Sequence, residues 1–135
     1  EYSAELGKTF GEELLTPTNI YVKPVLALID ALEVHSLAHI TGGGFIENIP
    51  RSIPKGLTAR IEKYAVRVLP IFRLLQALGD LDETHMFNTF NMGVGMTITL
   101  PQTDVDRAIS LLHGFGVSSY VIGEVTAGDE GISLC

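Results

Sequence analysis

The chain has 135 residues, 46% of them hydrophobic, enough for one domain with a core of its own. Acidic residues outnumber basic ones 16 to 9, a formal charge of -7 that argues against the broad phosphate contacts of nucleic-acid binding but leaves room for one small, locally held anion. No window approaches the roughly 18 uninterrupted apolar residues of a membrane helix, Glu1-Tyr2-Ser3 does not open like a signal peptide, and the single cysteine, Cys135, excludes an internal disulfide, so a soluble cytoplasmic protein is expected.

Glu1 to Gly11 reads as a lead-in, with the domain proper over residues 12–135. Asn19 to Val22 is expected as a short strand, and Pro24 as the opening of a helix whose Val25, Leu28, Ile29 and Leu32 recur at i, i+3, i+4, i+7. Val34 to Ile40, apolar without clean alternation, predicts a strand covered on both faces and ended by Thr41-Gly42-Gly43-Gly44. A short helix is expected from Phe45 and a strand over Leu57 to Glu62. Pro70 then opens a helix with Ile71, Leu74, Leu75 and Leu78 on its stripe and Gly79 at its end.

Asp82 to Thr89 predicts another short helix. Val94, Met96, Ile98 and Leu100 alternate with small or polar residues as a strand does, one face of it core. Thr103 is placed to cap a third amphipathic helix, with Val105, Ala108, Ile109 and Leu112 inward and Gly114 or Gly116 at its end. Val117 to Val125 and Ile132 to Leu134 are the last expected strands. Interleaved strands and helices give an α/β (α+β) class: a mixed sheet with helices packed on its faces.

Chemistry concentrates in two segments. In Ala38-His39-Ile40-Thr41-Gly42-Gly43-Gly44-Phe45-Ile46-Glu47-Asn48-Ile49-Pro50-Arg51 a strand runs through three glycines into a short helix. Glycines there let the backbone approach an anion while the helix N–H groups point at it, so phosphate is the natural guest. Asn48 lies near the turn, and Arg51 about one helical turn on is placed for a charge-assisted clamp. The same glycines also suit a plain tight turn with Arg51 solvated, and no lysine with Ser/Thr follows them, so this is no P-loop.

The second segment is Thr89-Phe90-Asn91-Met92-Gly93-Val94-Gly95-Met96, where Asn91 can donate to and accept from a ligand, and Gly95 suits a bulge or a close approach. His39 is positioned to face a bound phosphate, although a histidine in a buried strand more often serves as a hydrogen-bonded core residue. The four histidines, His35, His39, His85 and His113, show no metal-ligand spacing, so no metal site is expected; Glu12, Glu13, Asp80, Asp82 and Glu83 read as solvated charge.

These two runs, with Pro17-Thr18-Asn19-Ile20-Tyr21-Val22-Lys23 before them, resemble the C-terminal domain of the phosphoribosylformylglycinamidine cyclo-ligase family in order and spacing, from about Glu12 to Thr126. The resemblance implies a distantly ferredoxin-like domain whose missing N-terminal partner binds most of the ATP and Mg2+ and forms the homodimer contact. The implied reaction phosphorylates the formyl amide oxygen of formylglycinamidine ribonucleotide and closes the ring to aminoimidazole ribonucleotide in purine synthesis.

The phosphoribosyl substrate is then the expected guest of Thr41, Gly42, Gly43, Gly44, Asn48 and Arg51, with His39 and Asn91 beside it. The N-terminal signature, an aspartate, a short spacer and Gly-Ala-x-Pro, is nowhere in the chain, so activity in isolation is not expected. Asn19, His85 and Asn88 stand where the family often has arginine, glutamate and arginine. Related two-domain enzymes (the formylglycinamide ribonucleotide amidotransferase, selenophosphate synthetase, thiamine-phosphate kinase and a hydrogenase-maturation protein) share the plan. A non-catalytic phosphate- or partner-binding domain is the alternative of another class.

Overall fold

The structure is a computed structural model describing residues 1–135. A hairpin of β1 (Tyr2–Ser3) and β2 (Lys8–Thr9) leads into α1 (Phe10–Leu14), where Thr9 and Glu12 form a reciprocal capping box. None of the α1 residues is buried. Residues 16–21 then run as coil into α2 (Val22–Ala31). The strand expected over Asn19 to Val22 does not form, and Pro24 is the third helical residue instead of the first. A proline is tolerated anywhere in the first turn, where the N–H it lacks would have had no intrahelical partner.

The central ribbon pairs β3 (Ser36–His39) antiparallel with β5 (Met96–Thr99), with Ser36 opposite Thr99 and His39 opposite Met96. Between them come α3 (Gly44–Asn48), a 3-10 turn at Pro50–Ser52, β4 (Leu57–Ile61), α4 (Pro70–Gly79) and α5 (Glu83–Thr89). After β5, α6 (Val105–Gly114), β6 (Gly123–Ala127) and β7 (Gly131–Leu134) complete the chain. β4 lies between β6, antiparallel to it, and β7, parallel to it. The class is mixed α and β as expected, with the strands divided among three small sheets.

Two apolar clusters hold these elements. The larger gathers Ala38, Ile40, Phe45, Ile49, Met86 and Phe87 among others, and Phe45 meets Phe87 edge-on at 5.2 Å between centroids. The smaller packs Leu28 of α2 against Ala108 and Leu112 of α6. No helix is long and apolar enough to cross a membrane.

Several local expectations are corrected. β3 is covered unevenly: Ala38 and Ile40 face the larger cluster, and Ile98, opposite Leu37 on the other face, packs on the smaller one, but His35 and His39 are exposed. Thr103 does not cap α6: it sits in a 3-10 turn over Gln102–Asp104, which starts the coil a turn earlier and makes Asp104 the N-cap. α4 does end at Gly79 as expected, with the left-handed cap at Asp80 (φ 49°), one residue beyond. The late strand begins at Gly123 instead of Val117. Side chains hold the stretch before it: the Arg67 backbone N–H donates to the Tyr120 hydroxyl at 3.1 Å, and the Arg67 guanidinium lies 4.3 Å over the Tyr120 ring.

Candidate functional site

The glycine turn after β3 is shaped by two left-handed residues, Gly43 (φ 97°) and Gly44 (φ 54°). Gly44 has a second constraint: a Cβ there would run into the carbonyl oxygen of Phe87 and lie 2.9 Å from that of Phe90. Only hydrogen fits, which brings α3 against the end of α5. The Gly44 N–H closes the turn on the Thr41 carbonyl at 3.0 Å, whereas the N–H groups of Gly42, Gly43, Phe45 and Ile46 donate to no protein carbonyl. Phe45 is fully buried, so the accessible residues with free donors are Gly42, Gly43 and Ile46, three around one short turn, an arrangement that favours an anion.

Asn48 does not offer its amide to that space. Its Nδ2 donates to the carbonyls of Gly44 (2.7 Å), Gly42 (3.2 Å) and, more weakly, Thr41 (3.4 Å), so the side chain fastens the turn from within. Arg51 is exposed and paired with Glu47 one turn back, Nη2 to Oε2 at 3.2 Å. The same Glu47 Oε2 lies 2.8 Å from where a Cβ on Gly43 would sit. One carboxylate therefore already spans the gap between the glycine turn and the guanidinium, the place where an anionic ligand would bridge them. An exposed ion pair of this kind is worth only about 0–1 kcal/mol, so a more highly charged phosphate can displace it.

The second glycine segment stands alongside. Asn91 accepts the Gly93 N–H on Oδ1 at 2.9 Å, and its carbonyl accepts the Val94 N–H at 2.8 Å, closing a turn in which buried Met92 takes φ 55°. Such a conformation is uncommon for methionine and persists because burial and the Asn91 side chain both hold it. The Ile40 N–H donates to the Gly95 carbonyl at 2.9 Å, joining the two segments directly. Gly95 lacks a Cβ because the Tyr21 hydroxyl occupies that position.

Tyr21 also meets the His39 ring edge-on at 6.1 Å. His39 is exposed on the outer face of β3, not a hydrogen-bonded core residue. Three segments distant in sequence, Asn19–Lys23, His39–Arg51 and Asn91–Gly95, are thereby gathered at one end of the β3–β5 ribbon. A cavity of about 820 Å³ opens beside them, lined by Asn19, Tyr21, Gly93, Gly95, Arg67 and Tyr120 among others.

The role of Glu47 was readable from its i, i+4 spacing to Arg51, and that of Tyr21 from the need of Gly95 for a close neighbour. Arg67 and Tyr120, far apart in sequence, gave no such signal. Nowhere do three or more His, Cys, Asp or Glu side chains converge.

Residues 1–134 match the family model described as AIR synthase related protein, C-terminal domain. The chain is 51% identical over 130 residues to a phosphoribosylformylglycinamidine cyclo-ligase of Caldicellulosiruptor saccharolyticus, covering 96% of the chain and 38% of that relative. It is 49% identical over 130 residues to the protein of the same name from Acetivibrio thermocellus, with the same coverage. A third, from Thermoanaerobacter pseudethanolicus, is 47% identical over 134 residues, 99% of the chain and 40% of the relative. The chain therefore spans about two-fifths of the length of the curated relatives it matches.

Proposed function

Because the chain belongs to the family of AIR synthase related protein C-terminal domains, we propose that it is the C-terminal half of an ATP-dependent phosphoribosylformylglycinamidine cyclo-ligase. In this reading its share of the work is to hold an anionic phosphate of the phosphoribosyl substrate or the nucleotide. The observation that carries the reading is the turn at Thr41–Gly44, with three accessible unpartnered backbone donors and Arg51 reached across a displaceable carboxylate.

The proposed reaction moves the terminal phosphoryl group of ATP onto the formyl amide oxygen of formylglycinamidine ribonucleotide. An internal nitrogen then attacks the activated carbon and phosphate departs. This chain's residues bind and orient: Gly42, Gly43 and Ile46 present N–H groups, Asn48 keeps the turn in shape from inside, and Arg51 turns from Glu47 to the ligand. His39, with Tyr21 against it, and Asn91 border the same space. Most ATP contacts, Mg2+ and the homodimer contact belong in this reading to the N-terminal half.

The test is a titration of the full-length enzyme carrying Arg51→Ala with substrate and with ATP separately, beside the exposed control Lys55→Ala. Loss of one charge-assisted hydrogen bond, about 1.5–3 kcal/mol, predicts a roughly ten- to hundredfold weaker affinity for one of the two ligands. Unchanged affinity for both, with the fold intact, would return Arg51 to a surface role.

A further inference from the structure

We propose that the outer face of α2, formed by Val22, Leu26 and Ile29 with Ile20 just before them, is the surface on which the preceding domain of the same polypeptide packs. The inference rests on the reading of the chain as one half of a two-domain enzyme. Helix α2 is apolar on two sides. Its inner side is spent within the domain, where buried Leu28, with Leu32, packs on Ala108 and Leu112 of α6. Its outer side carries Val22, Leu26 and Ile29 at i, i+4 and i+7, exposed to 62%, 56% and 46%, and Ile20 is exposed to 84%. Apart from a polar edge at Lys23 and Asp30 the helix is apolar, and nothing within the domain covers its Val22–Leu26–Ile29 stripe.

The occupant is fixed by what the domain lacks. About three-fifths of each relative's length has no counterpart in the chain, and the matching family is a C-terminal domain, so in the relatives the unmatched part comes first. The segment leading into α2 fits such a neighbour. From Glu1 to Leu15 no residue is buried, and Leu14 and Leu15 are exposed to 66% and 84%. A second copy is the weaker candidate, since two chains of charge -7 repel, whereas a domain on the same polypeptide meets the face at an effective concentration of order millimolar.

The test is thiol labelling of the full-length protein with its native cysteines replaced, carrying Leu26→Cys or Ile29→Cys, against Leu78→Cys on α4, a site 74% exposed in this domain. Labelling at positions 26 and 29 is expected to be at least about tenfold slower than at 78, and to stay so when the protein is diluted about a hundredfold. Equal rates at all three positions overturn the proposal, and protection that disappears on dilution overturns it in favour of a second copy. Ring closure is assayed on the same samples. An active enzyme with open positions 26 and 29 refutes the docking face alone, whereas covered positions in an inactive enzyme support the face and count against the cyclo-ligase reading.

Discussion

Glu47 and Asn48 are neighbours in sequence with opposite functions at the glycine turn. Asn48 is consumed by three backbone carbonyls, so Asn48→Ala should weaken phosphate binding through a loosened turn and lower stability at the same time. Glu47 pairs with Arg51 and reaches the glycine turn, so in the proposed reading it takes the place of the ligand. Glu47→Gln is therefore expected to tighten the phosphate ligand, by up to about fivefold if the exposed pair is worth its usual 0–1 kcal/mol, opposite in sign to Arg51→Ala. Calorimetric titration of both variants of the full-length enzyme checks this; weakening by both would show that Glu47 supports the site.

A pH effect belongs to the same scale. The Thr9 backbone N–H first, and its hydroxyl second, hold the Glu12 carboxyl below its ordinary range. A lowered folded pKa stabilises the capping box above the ordinary glutamate range, and that support is lost as pH falls through the lowered value. Helix α1 should fray on acidification there, and Glu12→Gln should remove the pH dependence, both visible in the amide spectra of residues 9–14. Unchanged acid fraying in the variant would assign it to another group.

At the scale of elements, the site depends on α3 lying close against α5. Gly44→Ala combines a left-handed backbone with a Cβ driven into the Phe87 carbonyl, and should cost about 2 kcal/mol or more. Phe45→Ala, emptying a fully buried position against Phe87, should cost about 3–5 kcal/mol. Chemical denaturation measures both, and a near-neutral Gly44→Ala would mean that the two helices separate freely.

The sequence was most legible where local pattern and tertiary packing agree. The stripe of α6 appeared where periodicity placed it, as did Ile71, Leu74 and Leu75 of α4 and the helix after the three glycines, but Leu78, expected on the α4 stripe, is exposed. It was least legible where a contact distant in sequence decides the matter. Asn19 to Val22 reads as a strand until a helix start absorbs Val22. Val117 to Val125 reads as one strand, but Tyr120 is held by Arg67 and pairing begins only at Gly123. The strand-to-helix glycine turn was evident, and the Glu47–Arg51 pair was open to an i, i+4 reading; that Asn48 faces inward was not, because it follows from side-chain direction in a five-residue helix.

For the whole molecule, 17 of 135 residues are buried, ten of them in the larger cluster and three in the smaller. The isolated chain is expected to melt in one cooperative transition, at a lower temperature than the same domain within the full-length protein. Scanning calorimetry of both decides this, and a broad melt without near-ultraviolet signal would deny the domain an independent core. The central claim is tested most directly by assaying ATP-dependent ring closure of formylglycinamidine ribonucleotide with the purified chain alone and with the same chain joined to a cyclo-ligase N-terminal half. The account predicts no turnover from the chain alone and aminoimidazole ribonucleotide from the joined protein; a folded joined protein that binds phosphate ligands without closing the ring would contradict it.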